Sequence, residues 1–187
     1  MDEAIKQALE VLNSGGIILY PTDTVWGIGC DATNPAAVSK VLELKQRKHS
    51  KGMVILVDIS ARIPSYVREV PEIAWELIDV TDKPLTIIYP GAKNLASNVI
   101  APDGSIGIRV VSQDFCKRLI ARFKRPLVST SANISGDATP KSFQAIPDRI
   151  KTGVDLVVSQ EFDSPVSSAP SSVIKLGLTG EIEIIRP

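Results

Sequence analysis

Four cations crowd one short stretch of this chain: Lys45, Arg47, Lys48 and Lys51, with no acid among residues 45–51. A guanidinium offers a planar fork of donors and each lysine a movable point charge, so together they suit the several oxygens of a polyphosphate. The same residues also read as a solvated helix end, where cations complement the negative end of the helix dipole. A second group is uncharged. Thr22 and Thr24 sit in one loop, Ser129, Thr130, Ser131, Asn133 and Ser135 in another, and each loop follows a stretch that reads as a buried strand. In an open α/β sheet, loops at strand ends line the ligand crevice, and their backbone N–H groups hold anions. Ser, Thr and Asn also favour turns and caps for local reasons, because their side chains bond nearby backbone.

Other chemistries find less support. Gly27-Ile28-Gly29-Cys30-Asp31-Ala32 has the spacing G-x-G-x-x-A, and Asp58 follows the next strand like a ribose-binding acid. A dinucleotide fingerprint needs its first glycine at the strand-to-helix turn, yet six residues separate Tyr20 from Gly27 and the next helix begins only near Asn34. No Walker A pattern occurs. His49 is the sole histidine and reads as a solvated loop residue, while Cys30 and Cys116 are too few to build a soft-ligand metal site. Cys30 reads as a small buried filler. Trp26, in a Gly-flanked loop, suits a core position and a ring-stacking position equally.

The elements that must position these groups follow from periodicity and punctuation. Ile5, Ala8, Leu9 and Leu12 give a helix over residues 2–13, stopped by Asn13-Ser14-Gly15-Gly16. A strand over 17–20 ends at Pro21. Asn34-Pro35 caps a second helix with Val38, Val41, Leu42 and Lys45 along one side. Strands follow at 53–57, 84–89, 106–111 and 126–129, with helices at 71–79, 115–123 and 141–150. Three closing strands fall near 155–158, 172–176 and 181–185, the last two joined by Gly177-Leu178-Thr179-Gly180 as a hairpin. Helix-linked and hairpin-linked strands together predict a single α/β domain over 1–187: a twisted, open, mixed parallel/antiparallel sheet with flanking helices.

Composition sets outer bounds. With 187 residues, 44% hydrophobic and 22% charged, the chain can bury a real core, which excludes wholesale disorder. Lys plus Arg (21) balances Asp plus Glu (21), so no global field draws in a polyanion and any nucleotide or RNA must be caught by a local patch. No apolar run approaches the ~18 residues of a membrane span, and the start is acidic. A cytoplasmic protein with reduced thiols, away from membranes, is expected.

Three separated motifs, taken together, resemble the YrdC-like threonylcarbamoyl-AMP synthases in their short, single-domain form. They are Tyr20-Pro21-Thr22-Asp23-Thr24-Val25-Trp26-Gly27, then Leu44-Lys45-Gln46-Arg47-Lys48 with Lys51, then Ser129-Thr130-Ser131-Ala132-Asn133-Ile134-Ser135-Gly136. Relatives usually carry Trp-Pro-Gly where Thr81-Asp82-Lys83 stand here, a proline at Val111, and Tyr or Phe at Trp26. The resemblance implies a concave, positively charged sheet face and a reaction. L-threonine, bicarbonate or CO2, and ATP yield threonylcarbamoyl-adenylate and pyrophosphate, for N6-threonylcarbamoylation of adenosine 37 in tRNA. It places the family's K-x-R and S-x-N residues on Lys45, Arg47, Ser131 and Asn133 as the catalytic set. It assigns Lys51 to the phosphate side, matches Arg109 to the arginine of the family's V-R-[VM]-P strand as a substrate-binding residue, and places Ser171 in a late substrate-side segment, with Thr22, Thr24, Ser129 and Thr130 lining the threonine and ATP pocket. Mg2+ is expected to ride on the ATP phosphates with no protein metal ligands. Downstream tRNA-modifying proteins are the expected partners, with tRNA contact as a further one. The alternatives are a non-catalytic RNA-binding module and a YciO-like side-branch protein with a different nucleotide activity.

Overall fold

The computed structural model describes residues 1–47, 53–163 and 170–187. Its elements are α1 (Asp2–Asn13), β1 (Ile18–Tyr20), β2 (Gly27–Gly29), α2 (Pro35–Leu44), β3 (Val54–Val57), a 3-10 turn (Ser60–Ser65), α3 (Glu72–Val80), β4 (Leu85–Tyr89), β5 (Ile106–Val110), α4 (Asp114–Phe123), β6 (Leu127–Ser131), α5 (Asp148–Thr152), β7 (Leu156–Val157), β8 (Ser172–Leu176) and β9 (Ile182–Arg186). Among the described residues the strands form one sheet in the order β7-β1-β2-β6-β3-β5-β4-β8-β9. Three neighbouring pairs are parallel, β1 with β7, β3 with β5 and β4 with β8, and the others antiparallel. The expected single mixed sheet with flanking helices is the observed one.

Period-two alternation sends successive side chains to opposite faces, and each face has its own apolar layer. On one, Ile18, Tyr20, Leu56 and Leu127 pack under Ile5, Ala8 and Leu12 of α1 and Phe115, Leu119 and Phe123 of α4. On the other, Leu19, Ile28, Ile55, Val57, Ile87, Ile108 and Val128 pack against Val38 and Val41 of α2 and Ala74 of α3. α1 and α4 do not cover the whole of their face. The registers that pair Leu56 with Leu127 and Arg109 also align Val54 with Ser129 and Gly107, and Gly27 with Ser131. That uncovered stretch carries the site.

Gly27 and Gly29 lie in β2, between β1 and β6, and so serve a sheet rather than a dinucleotide turn. A Cβ on Gly29 would meet Tyr20 Cε1 and the Val128 carbonyl oxygen, each at 2.6 Å. The helix expected over 141–150 is shorter, Asp148–Thr152. Pro147 explains this: it disfavours helical backbone at Ile146, so Ser142 to Ile146 closes as tight turns and the helix starts afresh after the proline. Cys30 and Trp26 are both core, and the Trp26 indole N–H donates to Asp163 Oδ2 at 2.8 Å. No helix among the described residues is long and apolar enough to cross a membrane.

Because the contacts of a Gly29 Cβ are with a fully buried ring and with backbone, Gly29→Ala is expected to lower unfolding stability by about 1–3 kcal/mol. The check is the midpoint of denaturant unfolding, which should fall without a change in slope.

Candidate functional site

The site is assembled at the end of α2. Asn34 caps that helix, its Oδ1 accepting from the amides of Ala36 (3.0 Å) and Ala37 (3.2 Å), with Pro35 in the first turn. At the other end Gln46 adopts φ +53°, its amide donates to Glu43 O at 2.9 Å, and the Arg47 amide donates to Leu42 O at 2.9 Å. This paired 5→2 and 6→1 arrangement is a Schellman motif with glutamine in the place usually taken by glycine. The reversal brings Lys45 and Arg47 back over the loop that follows β6.

Lys45 is buried and its ammonium is fully engaged. Nζ donates to Ser131 O (2.6 Å), Asn133 O (2.7 Å) and Asn133 Oδ1 (3.2 Å), and the Ser135 amide returns a bond to Lys45 O at 3.0 Å. Asn133 Oδ1 also accepts from Ser131 Oγ at 2.5 Å, while Nδ2 donates to Asp137 O at 2.7 Å. Burial, and then the neighbouring Arg47 charge, pull the Lys45 pKa down to about 8. Three oxygen acceptors around Nζ keep the ammonium form at neutral pH.

In front of this knot lies a cavity of about 190 Å3. Arg47, Arg109 and Arg186 reach it from three separate parts of the chain, and Thr24, Ser129, Thr130, Ser131, Thr139 and Ser171 add hydroxyls. Among the described residues no Asp or Glu lines it. Burial lowers the pKa of Arg47, and burial followed by the Arg109 charge lowers that of Arg186, so the guanidinium groups crowd a space that lacks an anion of its own. Arg109 Nη2 stands 3.1 Å from Asp23 Oδ1, off the axis of a hydrogen bond, and Arg109 Nε has no partner. Arg186 Nε donates to Ser171 O at 2.8 Å, and Ser171 Oγ is 2.8 Å from Thr86 Oγ1.

The hydroxyl loop after β1 is organised by Thr22. Its one proton goes to Val25 O (2.7 Å) while its oxygen accepts from the Thr24 amide (3.1 Å). The 3.0 Å contact between the two hydroxyls therefore has Thr24 as donor, which leaves Thr24 oxygen lone pairs for the cavity.

The structure thus brings together most of the residues singled out in the sequence. Thr24, Arg47, Arg109, Ser129, Thr130, Ser131 and Ser171 line the cavity, whereas Thr22, Lys45 and Asn133 stand behind it with their polar atoms bonded to protein. Lys48, His49 and Lys51 lie outside the described residues. Arg186 and Thr139 were not singled out. Arg186 is the last residue of the exposed edge strand β9, and only the pairing of β9 with β8 carries it to Ser171. Asp58 is taken by Arg62, Nε to Oδ1 at 2.5 Å, and serves no ribose. Among the described residues no three His, Cys, Asp or Glu side chains are grouped to hold a metal ion.

A mixed open sheet with three guanidinium groups around one hollow, and no carboxylate among its described lining residues, offers the chemistry that suits anions on the scale of phosphate groups. The chain belongs to the Sua5/YciO/YrdC family: the family model Sua5_yciO_yrdC, described as "Telomere recombination", matches residues 10–187. A threonylcarbamoyl-AMP synthase of Pseudoalteromonas translucida is 32% identical over 182 residues, with 95% of each chain covered. One of Acinetobacter baumannii is 31% identical over 191 residues, with 98% of each covered. In fold, the chain matches E. coli YciO with TM-score 0.80 at 24% identity, covering all of this chain and 89% of that one. It matches a variant of P. abyssi Sua5 with TM-score 0.88 at 24% identity, covering 98% of this chain and 56% of that one. A P. abyssi Sua5 structure in complex with L-threonine matches with TM-score 0.80 at 23% identity over 92% of this chain and 50% of that one.

The depressed pKa of Lys45 has a signed consequence. The unfolded chain holds this proton up to about pH 10.5 and the folded chain only to about 8, so between these values the unfolded state binds more protons and folding becomes more favourable as pH rises. Relative to Lys45→Met, the wild type should gain stability from pH 8 to 10 in parallel denaturant titrations. A constant difference across that window would contradict the burial of this charge.

Proposed function

We propose that the chain makes threonylcarbamoyl-adenylate and pyrophosphate from L-threonine, bicarbonate or CO2, and ATP. The observation that carries this reading is the convergence of Arg47, Arg109 and Arg186 with the hydroxyls of two loops on one cavity without a carboxylate. In the reaction, threonine nitrogen bonds to the carbon of CO2 as one C=O π bond opens onto oxygen and the amine proton passes to solvent, the carbamate oxygen so formed bonds to the α-phosphorus, and the bond from that phosphorus to the bridging oxygen breaks, releasing pyrophosphate with its electron pair. Such nucleotidyl transfer needs the labile carbamate aligned and the charge neutralised, with no covalent nucleophile from the protein.

The described side chains divide this work by position. The guanidinium groups of Arg47, Arg109 and Arg186 neutralise phosphate and carbamate oxygens. Ser129, Thr130, Ser131 and Thr24 aim the reacting groups by hydrogen bonds. Lys45 and Asn133 act from behind, holding the loop after β6 in place and adding one positive charge. A cavity of about 190 Å3 is below the 300–1,000 Å3 typical of sites that enclose a drug-sized ligand, so it takes the reacting phosphoryl, carbamate and amino acid while the nucleoside lies across its mouth. Mg2+ enters as part of the ATP substrate, because the lining offers no carboxylate to hold it. Lys51, outside the described residues, is assigned to the phosphate side by its motif position alone. The product is short-lived in water, so a downstream tRNA-modifying protein in the cytoplasm, with or without direct tRNA contact, takes it on.

Protein incubated with ATP, Mg2+ and bicarbonate should release pyrophosphate only when threonine is added; release independent of threonine, or none, would refute the assignment. Arg47→Ala should cost at least about 10²-fold in turnover, the scale of losing one donor to a developing charge. Turnover within a few-fold of wild type would remove Arg47 from that role.

A further inference from the structure

Arg109 reaches the first cavity with an acid of the protein already beside it, and that acid, Asp23, has no part in the reaction set out above. We propose that Asp23 is the positioning residue of Arg109: it holds the guanidinium at the cavity wall and, by competing for it, holds down the affinity of the cavity for anions. The inference deepens the enzymatic reading and rests on it only for the identity of the anion, pyrophosphate.

The turn after β1 sets Asp23 in place. Thr22 oxygen accepts from the Thr24 amide, its hydroxyl donates to Val25 O, and Pro21 O accepts from the Cys116 thiol at 3.0 Å, which ties the loop to α4. Thr24 lines the first cavity, whereas Asp23 lines a second, separate hollow on the other face of β4 and β5. The Ser112 amide, just past β5, contacts Asp23 Oδ2 at 3.4 Å and keeps the carboxylate beside the strand that carries Arg109. Asp23 is 3% and Arg109 5% exposed, so water screens the pair little. Among the described residues the carboxylate is the one ion-pair partner of Arg109, and the contact, Nη2 to Oδ1 at 3.1 Å, lies off the axis of a hydrogen bond.

Asp23 therefore fixes where Arg109 stands without using up its donors. The positive charge still reaches the cavity, since after burial it is the Arg109 charge that lowers the pKa of Arg186. An anion arriving there shares Arg109 with Asp23 and meets the field of a nearby carboxylate. Take away the carboxylate's charge, and the guanidinium is left buried and uncompensated, so the incoming anion supplies all of the missing charge and is held more tightly. A side chain that served packing alone has the opposite signature: its replacement loosens the wall and weakens binding. The sign of the change in affinity thus separates the two roles.

The test is a calorimetric titration with inorganic pyrophosphate of the wild type, Asp23→Asn, Arg109→Gln and the double variant. Asp23→Asn keeps the size of the side chain and an oxygen for the Ser112 amide while removing the charge. It should tighten pyrophosphate at least threefold. In the Arg109→Gln background the same change at Asp23 should alter the affinity less than twofold, because it acts through the guanidinium. On wild-type protein with 15N-labelled arginine, the Arg109 side-chain signal, assigned by its loss in Arg109→Gln, should shift saturably with pyrophosphate. Weaker or unchanged binding by Asp23→Asn, an effect of twofold or more without Arg109, or an Arg109 signal indifferent to pyrophosphate would overturn the proposal. None of these readouts needs threonine, so tightening in a protein that lacks threonine-dependent turnover would uphold the role of Asp23 and refute the enzymatic reading alone.

Discussion

A single buried ammonium ties the functional half of this molecule together. Lys45 reaches from the end of α2 to three oxygens of the loop after β6, and the Schellman reversal that follows it sets Arg47 against the same loop. Placing a lysine there has a cost, visible in its lowered pKa, that only a dense set of acceptors offsets. The return is geometric. Two segments more than 80 residues apart are locked together, and Ser129 and Ser131 line the same cavity as Arg47.

The electrostatic design follows from where guanidinium charge is gathered. The chain as a whole is neutral, yet the first cavity gathers Arg47, Arg109 and Arg186 and excludes every carboxylate from its lining. Like charges held close in a partly desolvated space repel, and an incoming polyanion relieves that repulsion while meeting donors already oriented. Asp23 pairs with Arg109 at 3.1 Å and is absent from the lining of that cavity.

Much of this was legible in the sequence because it rests on local rules. Asn34-Pro35 announced the start of α2, short apolar runs announced β3 to β6, and the K-x-R and S-x-N motifs named Lys45, Arg47, Ser131 and Asn133, which do meet. What stayed hidden depends on long-range contact. Motif spacing does not distinguish Thr24, which faces the cavity, from Thr22, which is spent on Val25 O. Arg186 becomes a site residue only through sheet pairing at the very edge. The helix over 141–150 was overdrawn because apolar spacing outweighed Pro147. The departures at Thr81-Asp82-Lys83 and Val111 line a separate hollow on the other face of β4 and β5 and are absent from the lining shared by Arg47, Arg109 and Arg186.

The claim that Lys45 and Asn133 act as one device is tested most directly by a double-mutant cycle on ATP affinity, with Lys45→Met, Asn133→Leu and the pair. If the ammonium works by holding that loop, either change alone dismantles the knot, the second adds little, and the coupling exceeds about 1 kcal/mol. Effects that add to within about 0.5 kcal/mol would mean that the two residues serve the site independently and that the lock is not what builds it.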